Sequence, residues 1–383
     1  WFAWTTLAAL ISYPLVAVCL KVVYQVWWMP RRIDNHFRRQ GISGPAYRLF
    51  LGNLKEVASL NLKASSQSMA FSHNILPRVL SFYHHWKKIY GSVFLIWFGR
   101  TPRLTISDPA LIREIFIVKS DLFEKNESPP LVRKIEGDGL LSLEGEKWAH
   151  HRRIIQPTFH AENLKLMIPT MAMSIEGAVA KWSEKFDGAG KVEVEVCQWF
   201  ESLVEEVITR ATFGNSCYEE GRAIFDLQSQ QMLNATGAYL TVFIPGFRFL
   251  PTRKNRLAWR LEREIRESLL RLIERRRRMN ASCQTALSGE CPSDLLDVMM
   301  RSSGGGGGGG VGDEWRMTAD EVVEECKTLF FAGKHTTANL LTWTTVLLGM
   351  HPQWQEQARE EVLRVCGSRD TPTKDDLAKL KTV

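Results

Sequence analysis

The chain has 383 residues, 45% hydrophobic and 24% charged, the balance of an ordinary globular protein with material for one large domain or two smaller ones. Its net charge of +7 is modest and comes with no basic–aromatic module, which points to a membrane surface or an acidic protein partner and away from nucleic acid. The 7 cysteines form no Cys-x-x-Cys pair and lie at no zinc-ligand spacing, so they read as reduced thiols facing a cytosol.

The first twenty or so residues, WFAWTTLAALISYPLVAVCL, carry no charge, and a helix of that length matches the hydrocarbon thickness of a bilayer. Trp27 and Trp28 would lie at the headgroups, with Arg31, Arg32, Arg38 and Arg39 holding the following flank in the cytosol. Pro14 is tolerable in a membrane helix. The charges follow the apolar run and no small-residue cleavage site precedes them, so a transmembrane signal-anchor over residues 1–29 is expected, not a cleaved leader. Residues 30–53, ending in GISGPAYRLFLGN, read as a stiff Pro/Gly-rich hinge.

Ser92–Gly99 and Arg103–Ser107 are rich in β-branched and aromatic residues and flank Arg100-Thr101-Pro102, which predicts a hairpin. Asp108 is placed to cap a helix whose first residue is Pro109. Helical spacing then dominates, over Ala161–Phe186, Gln198–Phe213, Arg253–Met279, Thr318–Met350 and Trp354–Cys366. The expected fold is mainly α with a small β-sheet. Arg271–Asn280, RLIERRRRMN, reads as solvated arginines at a helix end or as a docking patch. The glycine run within residues 302–312 reads as a flexible linker; no Gly-Lys-Ser/Thr follows it, so it is not a phosphate loop.

Two segments carry candidate chemistry. In EGEKWAHHRRIIQPTFH, Trp148 and Arg152 are four apart and share a helix face, an indole N–H beside a guanidinium fork suited to a carboxylate. His150 and His151 diverge by about 100° on a helix and make a poor metal pair; no metal site is expected. In FFAGKHTTANLLTWTT, Gly333, Lys334, His335, Thr336 and Thr337 interrupt an apolar helix that would be steadier without them. A Thr336 hydroxyl bonded one turn back and a bare Gly333 describe either a groove for a flat ligand or a crowded helix crossing.

AGKHTT resembles the oxygen-activation motif of the cytochromes P-450, the haem-thiolate monooxygenases. The apolar N-terminus, the GISGPAYR hinge, the GSVFLIWFG hairpin and the WAHHR helix precede it in the family's order, and LLTWTTVLLGMHPQWQEQAREEV follows it, so the resemblance spans the chain. It is strongest to the plant membrane-bound clan, and within it to the branch that hydroxylates brassinosteroid side chains at position 26 and so inactivates those hormones. Cytokinin and terpenoid hydroxylases, or a non-catalytic membrane-anchored binding protein, are the alternatives. The resemblance implies a haem cofactor, a reductase partner and an apolar substrate. It also implies single-pass placement in the endoplasmic reticulum membrane with the globular part, residues 54–383, in the cytosol.

By the same resemblance Trp148 and Arg152 would hold a haem propionate and Ala332 and Gly333 would line the oxygen pocket. Thr336 would hydrogen-bond dioxygen, and His335 stands where the family has an acid that relays protons. A histidine also shuttles protons near neutral pH; Lys334 could point to solvent. The family's axial Cys, in a Phe-x-x-Gly-x-Arg-x-Cys-x-Gly loop, has no counterpart here, and neither does its Glu-x-x-Arg helix: Glu361 and Arg364 read as a surface pair and Cys366 as a helix end. The chain is therefore expected to be C-terminally truncated and inactive as it stands.

Overall fold

The computed structural model describes residues 13, 16–70, 74–125, 128, 130–185, 193–236, 249–285, 294–301, 317–367, 369 and 371–382. The chain divides into two units after Glu124. Residues 1–12, 14 and 15 of the expected membrane span and the glycine linker lie outside the described residues. Among the described residues no helix is long and apolar enough to cross a membrane.

The first unit holds helices α1 (Met29–Arg39), α2 (Leu54–Ser66), α3 (Leu76–Val79), α4 (Ser81–Tyr90) and α5 (Pro109–Arg113) around one hairpin, β1 (Val93–Phe98) and β2 (Thr101–Ile106). The hairpin is tighter than expected. Phe98 pairs with Thr101 and Trp97 with Pro102, so the turn is Gly99-Arg100, with Gly99 at φ 60°. Pro102 is accommodated because β2 is an edge strand with no further partner strand. Asp108 caps α5 as its sequence requires, its Oδ1 accepting from the N–H groups of Ala110 and Leu111 at 2.9 and 3.1 Å.

The expected hinge does more than connect. Its residues line the free edge of β1: Leu95 N–H donates to Ser43 O at 3.1 Å, Asn53 N–H to Trp97 O at 2.7 Å, and Trp97 N–H to Asn53 Oδ1 at 2.9 Å. A Cβ on Gly44 would sit 1.9 Å from Leu95 O, and Gly52, at φ 54°, meets Trp97 O at 2.4 Å in the same way. Only glycine lets these two backbones meet. Phe94, Ile96, Val57 and Trp86 form the core behind the strand.

The second unit holds α6 (Pro130–Glu136), α7 (Gly145–Ile155), α8 (Ala161–Leu166), α9 (Ile168–Ser183), α10 (Val196–Phe213), α11 (Tyr218–Thr236), α12 (Arg253–Thr285), α13 (Leu295–Arg301), α14 (Ala319–Met350), α15 (Pro352–Cys366) and α16 (Lys374–Lys379). The helix expected over Ala161–Phe186 is broken at Met167, because Pro169 starts a new helix and donates no N–H to the old one. α14 starts from a capping box in which Thr318 and Glu321 satisfy each other's backbone N–H groups. Its first four turns run through the core, where Val322, Val323, Cys326 and Phe330 pack with Phe213, Phe225, Ile265 and Leu269.

Arg276 departs from the expectation of solvated arginines. It is 2% exposed, and its Nε and Nη2 each lie 3.0 Å from an Asp297 carboxylate oxygen. Nη2 also donates to Asp294, and Nη1 to Ser216 Oγ at 2.8 Å. Glu361 departs similarly. It lies 3.9 Å from Arg364 but is buried, accepting from the backbone N–H groups of Lys381 and Thr382 at 3.0 and 2.7 Å.

Candidate functional site

A helix of about 100° per residue places Ala332 and Thr336 on one stripe of α14. Both residues are exposed, and the stripe continues through exposed Leu340, Trp343, Leu347 and Met350. Thr336 Oγ1 donates to Ala332 O at 2.8 Å, so its hydroxyl is seated on the helix backbone one turn back. The result is a narrow surface of apolar groups around one hydroxyl.

The neighbouring residues point elsewhere. Gly333 sits at the crossing with α10, where an added Cβ would be 2.5 Å from Ile208 Cδ1. Its smallness there serves close helix packing. Lys334, for which solvent was one option, turns toward α10 and α11. Its side chain is 12% exposed, and Nζ lies 2.5 Å from Glu205 Oε2 and 3.0 Å from Ser229 Oγ. Nζ also sits 5.6 Å above the Phe225 ring. His335 is half-buried, with Nδ1 3.6 Å from Glu201 Oε1 on α10. Glu201 and Glu205, one turn apart on α10, thus face two consecutive residues of the motif. An acid stands beside position 335 after all, supplied by another helix; a gap of more than a hundred residues hides it from any local motif.

On α7 the Arg152 guanidinium stacks over the Trp148 ring at 4.9 Å, and its Nε donates to Gln156 Oε1 at 3.2 Å. Trp148 is half-buried and Arg152 exposed. A stacked guanidinium keeps its remaining N–H groups in plane and available, the geometry that grips a carboxylate. His150 and His151 stand edge to face at 5.7 Å and go separate ways. His151 turns inward, its Nδ1 2.6 Å from Glu325 Oε1 on α14. Among the described residues there is no group of three or more metal-ligating side chains.

These residues suit the edge of a haem, with carboxylate-binding groups on α7 and an open apolar stripe with a hydroxyl on α14. Cys217 and Cys326 do not suit its iron. Both lie in the core, and burial holds the Cys326 thiol well above the ordinary thiol range, so it carries no thiolate at neutral pH. A cavity of about 450 Å³ lies between α9, α10 and α11. Lys181, Lys185, Glu195 and Arg222 line it beside Val194, Trp199 and Tyr218, a mixed polar and apolar wall. Residues 156–164 form a short 3₁₀ turn and the start of α8.

Sequence reasoning overlooked α11, which brings Phe225, Gln228 and Ser229 against the motif. Gln228 and Gln231 occupy inward positions there, 5% and 2% exposed, and polar residues on a buried face blur the apolar period. Gln228 Nε2 bonds the carbonyls of Ile135 and Lys327 at 2.9 and 3.0 Å, tying three helices together.

A family model described as Cytochrome P450 matches residues 73–383. Cytochrome P450 734A1 of Arabidopsis thaliana is 57% identical over 380 residues, 97% of this chain and 69% of that protein. Cytochrome P450 734A6 of Oryza sativa subsp. japonica is 50% identical over 373 residues, 96% of this chain and 68% of that protein. Cytochrome P450 CYP72A616 of Paris polyphylla is 40% identical over 383 residues, 98% of this chain and 71% of that protein. Among solved structures, the cytochrome P450DA heme domain superposes with a TM-score of 0.63 at 22% identity, covering 89% of this chain and 67% of its own, a likeness of fold.

Proposed function

The chain belongs to the cytochrome P450 family and is a monooxygenase oxidoreductase; within that family we propose that it hydroxylates the side chain of a brassinosteroid and so inactivates the hormone. The observation that carries this reading is the 57% identity to cytochrome P450 734A1 across nearly the whole chain. The resemblance of FFAGKHTTANLLTWTT to the brassinosteroid-inactivating branch supports it.

Bound haem would supply the activation of dioxygen and the insertion of one oxygen atom into a C–H bond, with electrons from a reductase partner. The Trp148 indole N–H and the Arg152 guanidinium would hold its propionates by charge-assisted hydrogen bonds. Ala332 and the exposed stripe of α14 would exclude water from its oxygen side. Thr336 Oγ1, its proton donated to Ala332 O, would present lone pairs there that accept a hydrogen bond. His335 beside Glu201, both half-exposed, would exchange protons with solvent at its Nδ1. The apolar N-terminus, with the Trp27–Arg31 and Trp28–Arg32 stacks at 4.4 and 5.2 Å, supports a single membrane anchor. The membrane would be that of the endoplasmic reticulum, with the enzyme on its cytosolic side.

The test is turnover in microsomes carrying the complete protein, with the axial-cysteine loop that residues 1–383 do not contain, and a plant reductase, fed brassinosteroids or cytokinins in parallel. Side-chain hydroxylated brassinosteroid is expected. Turnover of cytokinin alone would overturn the assignment.

A further inference from the structure

α7 and α14 meet through a polar contact as deeply buried as the apolar core. His151 is 1% exposed and Glu325 0%. His151 Nδ1 lies 2.6 Å from Glu325 Oε1, and its Nε2 faces Glu321 Oε1, one turn earlier on α14, at 3.7 Å. Burying ionisable groups costs several kcal/mol unless they are paired, so this contact is poorly placed for mere filling. A hydrogen bond also fixes direction, which an apolar contact does not. The segment before α7 is held to the same stretch of α14. Thr328 Oγ1 donates to Glu136 O at 2.7 Å, and Asp138 N–H donates to Glu324 Oε2 at 2.9 Å. A Cβ on Gly139 would fall 2.7 Å from Glu325 Oε2, so the backbone closes directly over the carboxylate.

On α14, Glu321, Glu325, Ala332 and Thr336 fall within about 60° of one another around the helix. Ala332 and Thr336 follow Glu325 by about 10 and 16 Å along the axis. His151 therefore docks on the same stripe that later carries the exposed hydroxyl. On α7 it is adjacent to Arg152 and nearly one turn after Trp148, so its contact sets where that pair faces. We propose that the His151–Glu325 bond is a positioning lock that fixes the rotation of α7 and its place along α14. It holds the carboxylate-binding Trp148–Arg152 face in register with the Ala332–Thr336 stripe. The geometry stands by itself; its purpose rests on the reading of Trp148 and Arg152 as propionate ligands.

The lock is tested by electron–electron distance measurement between nitroxides carried on non-natural side chains at Ala149 and Thr344, exposed positions on α7 and α14. A narrow distribution is expected for the otherwise unaltered chain. His151→Leu should broaden it at least about twofold or shift its mean by several ångströms, a sizeable part of the roughly 5 Å helical repeat. His151→Leu with Glu325→Leu removes both polar groups, leaves no buried charge and should fold even where the single variant does not. It should still lose the narrow distance. His151→Gln, which keeps a donor, should restore most of it. If the double leucine variant keeps the narrow distribution, the pair only fills space and the proposal fails. Loss of the lock with no effect of Arg152 on haem binding would instead overturn the propionate reading alone.

Discussion

Lys334 Nζ lies 2.5 Å from Glu205 Oε2, joining α14 to α10 on the side of α14 opposite the Ala332–Thr336 stripe. The motif is thus two-sided, with a hydroxyl and small apolar groups on one face and a largely buried ion pair on the other. Removing one partner strands a charge, and removing both does not. Glu205→Ala should therefore destabilise by about 2–4 kcal/mol. A double-mutant cycle with Lys334→Met should show a coupling of about 1–3 kcal/mol in urea unfolding.

The crossing at Gly333 leaves no room for a side chain. Gly333→Val should lower stability by about 1–3 kcal/mol through overpacking against Ile208. Adding Ile208→Ala should recover part of that loss, because the clash is with the end of one side chain. Thermal melts of the single and paired variants decide the point. Equal losses would mean that Gly333 is small for some other reason.

Asp294 gives the fold a dependence on pH. Burial and the neighbouring Asp297 push its pKa from 3.8 up to about 7, against the pull of Arg276, since two carboxylates share one guanidinium. Between these values the folded state keeps a proton that the unfolded state has released. Stability contributed at this site therefore falls as pH rises through that window and levels off above it. The slope is at most about 1.4 kcal/mol per pH unit. Asp294→Asn should flatten it, as read from urea midpoints at pH 5, 6, 7 and 8.

Arg152 should discriminate the ends of a haem. Titration with haem and with its dimethyl ester is expected to favour the free acid by roughly tenfold or more, the worth of a charge-assisted bond. Arg152→Ala should erase that preference while leaving binding of the ester unchanged. An ester bound as tightly as the acid would remove Arg152 from the site.

The Phe-x-x-Gly-x-Arg-x-Cys-x-Gly loop has no counterpart in residues 1–383, and Cys326 on α14 is buried with its thiol held well above the ordinary range. Residues 1–383 loaded with haem and reduced under carbon monoxide should therefore lack a thiolate-type Soret band. Its appearance would show that one of the chain's thiols reaches the iron.

Much of the local structure was legible in order along the chain. The caps at Asp108 and Thr318, the hairpin and the long central helix follow from signals a few residues apart. So did the sharing of one face by Trp148 and Arg152, since helical period alone brings i and i+4 together. The misreadings share a cause. Arg276 and Glu361 looked like surface charges because charged side chains usually are. Each is instead buried against partners elsewhere in the chain.

What the sequence determined by itself was the set of helices, the hairpin and the motif that joins Ala332 to Thr336, because hydrogen bonds and side-chain spacing within a few residues specify them. Only the tertiary structure decided which faces of those helices are spent on packing. His151 and Glu325 are 174 residues apart, and Lys334 and Glu205 are 129 apart. No local pattern can anticipate a charge whose burial depends on a partner brought in by the fold. The same packing turns Gly333 toward Ile208 and leaves Thr336 open.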